Sequence, residues 1–96
     1  MDVPADVVSF IEARFSAMDK AEALHLLSRA PVDGWGQSPV RLLRCAAFAS
    51  GGSLDSLRYY ISLLAIDWRD VIVAGEYDLQ GKDLVWARDL NQPLQV

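Results

Sequence analysis

Apolar residues recur at spacings of three and four through most of the chain, and that period assigns helices one after another. Val7, Phe10, Ile11, Phe15 and Met18 follow Pro4, a residue tolerated in a first helical turn, so the spacing predicts a helix over about residues 4–17. Asp19 is placed to cap a second helix, with Glu22 in capping-box spacing and Leu24, Leu27 and Ala30 as its apolar stripe. Pro31 ends it. Residues 31–38, PVDGWGQS, fit no period and form a loop around Trp35.

Ser38 before Pro39 sets an N-cap beside a first-turn proline. Beyond them Val40, Leu42, Leu43, Ala46, Ala47 and Ala49 are too many for one face, so the third helix is expected to be the most buried. Gly51-Gly52 stops it, and Ser53 caps a fourth helix with the stripe Leu54, Leu57, Ile61, Leu64 and Ala65. Asp67, with Asp70 in the first turn, is placed to cap a fifth whose inner face is Trp68, Val71, Ile72 and Gly75. After Tyr77 the period is lost. The alternation Leu84, Trp86, Arg88 suits an extended arm or a brief strand. The apolar residues Leu84, Val85, Trp86, Leu90, Leu94 and Val96 predict that the arm lies along a groove, in its own domain or in a second subunit. The expected architecture is all-α, an orthogonal bundle of about five short helices over residues 1–78 with an extended C-terminal arm over residues 79–96.

Composition bears on what such a bundle does. The chain has 96 residues, 52% of them hydrophobic, with 9 Lys and Arg against 13 Asp and Glu for a net charge of −4. A domain of 10.6 kDa exposes roughly 5,500 Å² when folded. So small a body has little interior for so many apolar residues, and the surplus predicts a homodimer. An acidic chain is poorly suited to the phosphate backbone, so nucleic-acid binding is disfavoured. The longest apolar runs fall far short of the roughly 20 residues of a membrane span. With one cysteine, and no basic segment ahead of the first apolar stretch, the chain reads as cytoplasmic.

Charge is unevenly spread. Residues 39–66 carry Arg41, Arg44 and Arg58 against only Asp55, while both flanks are acidic. The plain reading is intramolecular complementarity, and the alternative is a patch for an acidic protein partner. No cofactor or metal is expected, because zinc needs three or four ligands and the chain holds one His and one Cys. Cys45 lies among apolar neighbours and reads as an inert buried thiol, and His25 reads as a surface histidine. A small enzyme would have to draw on Cys45, His25 and Glu76. A DNA-binding regulator would need Arg41, Arg44 and Arg58 on one exposed face around the helix–Gly-Gly–helix turn.

The stretch from Arg44-Cys45 through Gly52, Leu57, Tyr60 and Asp67-Trp68-Arg69-Asp70-Val71-Ile72 to Glu76-Tyr77, followed by Arg88-Asp89-Leu90-Asn91-Gln92-Pro93, resembles a group of short bacterial proteins of unassigned function. The resemblance covers roughly the last half of the chain. It implies a compact helical domain and brings no activity, catalytic residue or cofactor. The function expected from the residues is a noncatalytic protein–protein interaction module. Trp35, Tyr59, Trp68, Arg69 and Trp86 supply its contact surface, and Arg41, Arg44 and Arg58 its cations.

Overall fold

The computed structural model describes residues 2–33, 36 and 38–95. Four helices follow one another, α1 (Ala5–Arg14), α2 (Lys20–Ser28), α3 (Pro39–Ser50) and α4 (Leu54–Glu76), and a hairpin of β1 (Tyr77–Gln80) and β2 (Asp83–Trp86) closes the order. Helix α3 packs chiefly against α4, α1 rests on α2 and α3, and α2 also meets α4.

Local chemistry accounts for most of the boundaries. The Ser38 hydroxyl accepts the Arg41 N–H with Pro39 in the first turn, and Gly51 closes α3 in the left-handed conformation. Ser53 accepts the Ser56 N–H and starts α4. At α2, Asp19 occupies the cap position without a side-chain cap hydrogen bond. Helix α1 ends at Arg14, short of the expected residue 17, and Phe15 turns extended.

Two expectations need correction. The fourth and fifth helices are one element, because a single residue separates them. Asp67 takes extended dihedrals (φ −153°, ψ 92°) inside α4. Its carboxylate accepts the Arg69 N–H at 3.2 Å, which is the capping contact that restarts the helix. The arm is likewise no featureless extension. Residues 77–86 double back around Gly81-Lys82, where Gly81 has φ 63° and no other residue type in the described chain has a positive φ. A positive φ at the first of two loop residues defines a type II′ turn, which matches the twist of the strands it joins.

The core is built by Val7, Phe10 and Ile11 of α1, Leu27 of α2, Leu42, Leu43 and Ala46 of α3, and Leu57, Leu64 and Val71 of α4. Helices α3 and α4 approach closely at Gly75 of α4, where an added Cβ would lie 2.7 Å from both the Cα and Cβ of Cys45. The side-chain-free backbone lets the C-terminal end of α4 close on α3. Beyond the hairpin, Leu90 and Leu94 fold back into this core. Leu79, Leu84 and Trp86 do not; they remain 69%, 59% and 55% exposed, so the arm buries only its last part. The whole chain exposes 5521 Å², the area its mass predicts, so these exposed residues do not come from loose packing.

Candidate functional site

Helix α3 places Arg41 and Arg44 one turn apart, and each guanidinium meets a carboxylate from a different helix. Arg41 grips Glu76 at the end of α4 in two parallel contacts, Nε to Oε2 at 2.7 Å and Nη2 to Oε1 at 2.8 Å. Arg44 grips Asp6 of α1, Nε to Oδ2 at 2.9 Å, and also donates to the carbonyl oxygen of Asn91 at 3.0 Å. Fork-to-fork contacts of this kind combine charge with fixed direction.

Both carboxylates also receive the C-terminal segment. The Leu90 N–H donates to Glu76 at 3.3 Å and the Leu94 N–H to Asp6 at 3.0 Å. The backbone continues the same stitching, with the Glu76 carbonyl oxygen accepting from the N–H groups of Ala87 and Arg88. Arg88 donates to the Gly75 carbonyl and to both oxygens of Asp78, and its guanidinium lies 4.3 Å from the centre of the Phe48 ring. Two acids, two arginines and one tail thus form a double clamp.

Burial alone would raise both carboxyl pKa values. For Glu76, hydrogen bonding and charge from Arg41, then the Leu90 N–H and the Trp86 side chain, outweigh that effect and hold it below the ordinary range. Asp6 is lowered in the same way, with burial opposed by Arg44 and the Leu94 N–H. Cys45 goes the opposite way. Burial and the nearby Glu76 carboxylate push its thiol up to about 12, with Glu76 Oε2 3.9 Å from Sγ. A thiol so far from ionisation is no nucleophile at neutral pH.

The candidate residues read from the sequence separate into three groups. Arg41 and Arg44 are held by internal carboxylates, so they are not surface cations for a partner; the intramolecular reading of the basic segment is the one the geometry follows. Arg58 stays half-exposed beside Asp55 and Glu22, and Tyr59 stacks edge-on against Tyr60 with centroids 5.1 Å apart. Trp35 lies outside the described residues.

Trp68 and Arg69 do come together, and Trp86 stands beside their groove on the hairpin. Trp68, Arg69, Ile72, Val73 and Tyr77 line a groove of about 280 Å³ with the flank of Arg41. Tyr77 then carries the groove onto the hairpin, since its cross-strand partner is Trp86. Opposed residues of a ladder share a face, so Tyr77, Leu79, Leu84 and Trp86 stand together on one side of the ribbon, and Asp78, Gln80, Asp83 and Val85 on the other. One face is wholly apolar or aromatic. The sequence carried a signal for this in Gln80-Gly81-Lys82-Asp83, a two-residue turn with glycine first.

The enzyme constellation does not assemble. His25 is exposed on α2, Cys45 is fully buried, and among the described residues no hydrogen bond joins the histidine ring to Cys45 or Glu76. Of the three arginines of the DNA-binding alternative, Arg41 and Arg44 pair with Glu76 and Asp6, and Arg58 stays half-exposed. Among the described residues no group of three or more His, Cys, Asp or Glu could hold a metal ion, and no helix is long and apolar enough to cross a membrane.

The described residues thus define an all-helical bundle with a short C-terminal β-hairpin. Comparison with protein-family models, with curated proteins and with solved structures gives no match.

Proposed function

We propose that the chain is a noncatalytic protein–protein interaction module of the cytoplasm, homodimeric in its working form, whose contact surface is the hairpin's apolar face and the adjoining Trp68 groove. One observation carries the reading: Leu79, Leu84 and Trp86 expose more than half of their surface on one face of the ribbon, in a domain otherwise packed to the area its mass predicts. Aromatic anchors beside aliphatic ones are the composition of interface centres. Arg69, exposed at the rim of the groove and paired with Asp67 of its own chain through Nε, keeps the rest of its guanidinium for an acidic partner. The free, buried Cys45 suits a reducing compartment.

Multi-angle light scattering over a concentration series tests the reading. The expected mass is twice 10.6 kDa for the wild-type chain and 10.6 kDa for the double variant Leu79→Ser/Leu84→Ser, whose substitutions are on exposed positions. A wild-type chain that stays at the single-chain mass throughout would sink the homodimer.

A further inference from the structure

Building on the interaction reading, we propose that a second copy of this chain docks on the outer edge of β2. Leu84 of one copy pairs antiparallel with Trp86 of the other, and the two Val85 residues meet on the two-fold axis. The ladder geometry sets the choice. A two-residue turn makes Gln80 and Asp83 a hydrogen-bonded pair, and strict alternation then makes Asp78 and Val85 the next. The Ala87 N–H to Glu76 carbonyl contact at 2.8 Å continues that alternation. Tyr77, Leu79, Leu84 and Trp86 consequently turn their own N–H and C=O groups outward, the first two on the β1 edge and the last two on the β2 edge.

Among the described residues the sheet has these two strands, and no further strand pairs with either edge. An antiparallel two-fold pairing that uses both outward residues of a strand makes four main-chain hydrogen bonds. On the β1 edge it would set Asp78 directly against Asp78, two carboxylates each already held by Arg88 of its own chain, with no apolar contact on the axis. On the β2 edge the axis carries Val85 against Val85, flanked by Asp83 against Ala87, and the cations Lys82 and Arg88 come opposite each other only at the two ends, beyond the strand. The exposed apolar run Leu84-Val85-Trp86, with valine in place of a carboxylate on the axis, therefore selects β2. Its run Leu84-Val85-Trp86 also has no lysine, proline or bulge, the features that normally protect an open edge. Residues paired across the new edge share a face, so the apolar sides of the two ribbons join into one four-stranded surface.

Val85 is the discriminating position, since it lies on the ribbon's polar face opposite Asp78 of its own chain. In Val85→Lys the new ammonium faces Asp78 favourably within the protomer and faces its own copy unfavourably across the axis; Val85→Glu brings like carboxylates together there. Sedimentation velocity of the full chain is expected to show a dimer for the wild type, monomers for each variant, and a dimer again for their equimolar mixture, with circular dichroism confirming helical content. Amide hydrogen exchange of the wild type provides a check free of any variant: protection at Leu84 and Trp86 should rise with protein concentration, while Val85, bonded within its own hairpin, should not change. A wild-type dimer that Val85→Lys leaves intact, or one without added protection at those two amides, overturns the β2 edge and spares the dimer. A wild type monomeric at every concentration overturns both.

Discussion

Replacing Glu76 by Gln removes one charge from the centre of the clamp and keeps its shape. The residue is 1% exposed, and its carboxylate accepts two hydrogen bonds from Arg41 and one from the Leu90 N–H, besides the contacts of the Trp86 side chain and the Cys45 thiol. A glutamine has one acceptor oxygen and one donor group in their place. If the oxygen stays with Arg41 Nε and Leu90, the new amide N–H₂ faces Arg41 Nη2, donor against donor. Removing one partner from a fully buried pair costs about 3–5 kcal/mol. The Arg41 side chain keeps 23% of its surface in water, which lessens the penalty of leaving it unmatched. The expected destabilisation is about 2–3 kcal/mol, or a fall in melting temperature of roughly 10–20 °C for a domain of this size.

Urea titration followed by circular dichroism at pH 7 reads that number directly, and hydrogen exchange at the Leu90 amide should show the tail loosening first. The pH dependence adds a sign. Glu76 titrates lower when folded than its ordinary value near 4.5, so its contribution is fully present above that value and is lost as pH falls through the folded one. The gap between wild type and Glu76→Gln should therefore be constant from about pH 6 to 8 and shrink below about pH 4. A difference under about 0.5 kcal/mol at pH 7, or a gap that widens in acid, would refute the assignment of Glu76 as the charged anchor of the tail.

Asp6→Asn should cost less, about 1–2 kcal/mol, because both partners of its ion pair keep some exposure, and exchange should quicken at the Leu94 amide more than at Leu90. Gly75→Ala should cost about 1–3 kcal/mol by overpacking, since the new methyl meets the Cα of Cys45 and backbone cannot yield as a flexible side chain would; thermal melts check it, and an unchanged melting temperature would contradict the close contact. Cys45 should resist iodoacetamide at pH 8 in the folded protein and react fully in denaturant, and rapid labelling of the folded chain would be inconsistent with a thiol raised to about 12.

The parts of this fold that were legible in the sequence are those fixed within one helical turn. Ser38 with Pro39, Gly51 and Ser53 mark their helix ends by chemistry that acts over three residues, and Asp67 marks the restart of α4. That Asp67 interrupts the helix without ending it could not be seen, because a cap signal does not report whether any loop precedes it. The hairpin was missed because four-residue strands give too little alternation to distinguish from an irregular arm. The clamp lay furthest out of reach. Arg41 and Glu76 are 35 positions apart, and Asp6 and Leu94 are 88 apart, and no local pattern selects one carboxylate from thirteen for each arginine. What the uneven charge distribution did indicate, a basic middle satisfied by acidic flanks, is the relation those pairs realise.

The hydrogen bond from Leu94 to Asp6 bears on how the chain comes to be folded. Synthesis delivers Asp6 long before Leu94, so a growing chain can form its helices before it can make this contact. Contacts that span nearly the whole sequence are slow to form because loop closure precedes any gain. Docking of the tail is accordingly a late event, and a ribosome stalled before residue 90 would hold a bundle whose helices α1 and α4 still lack their common fastening.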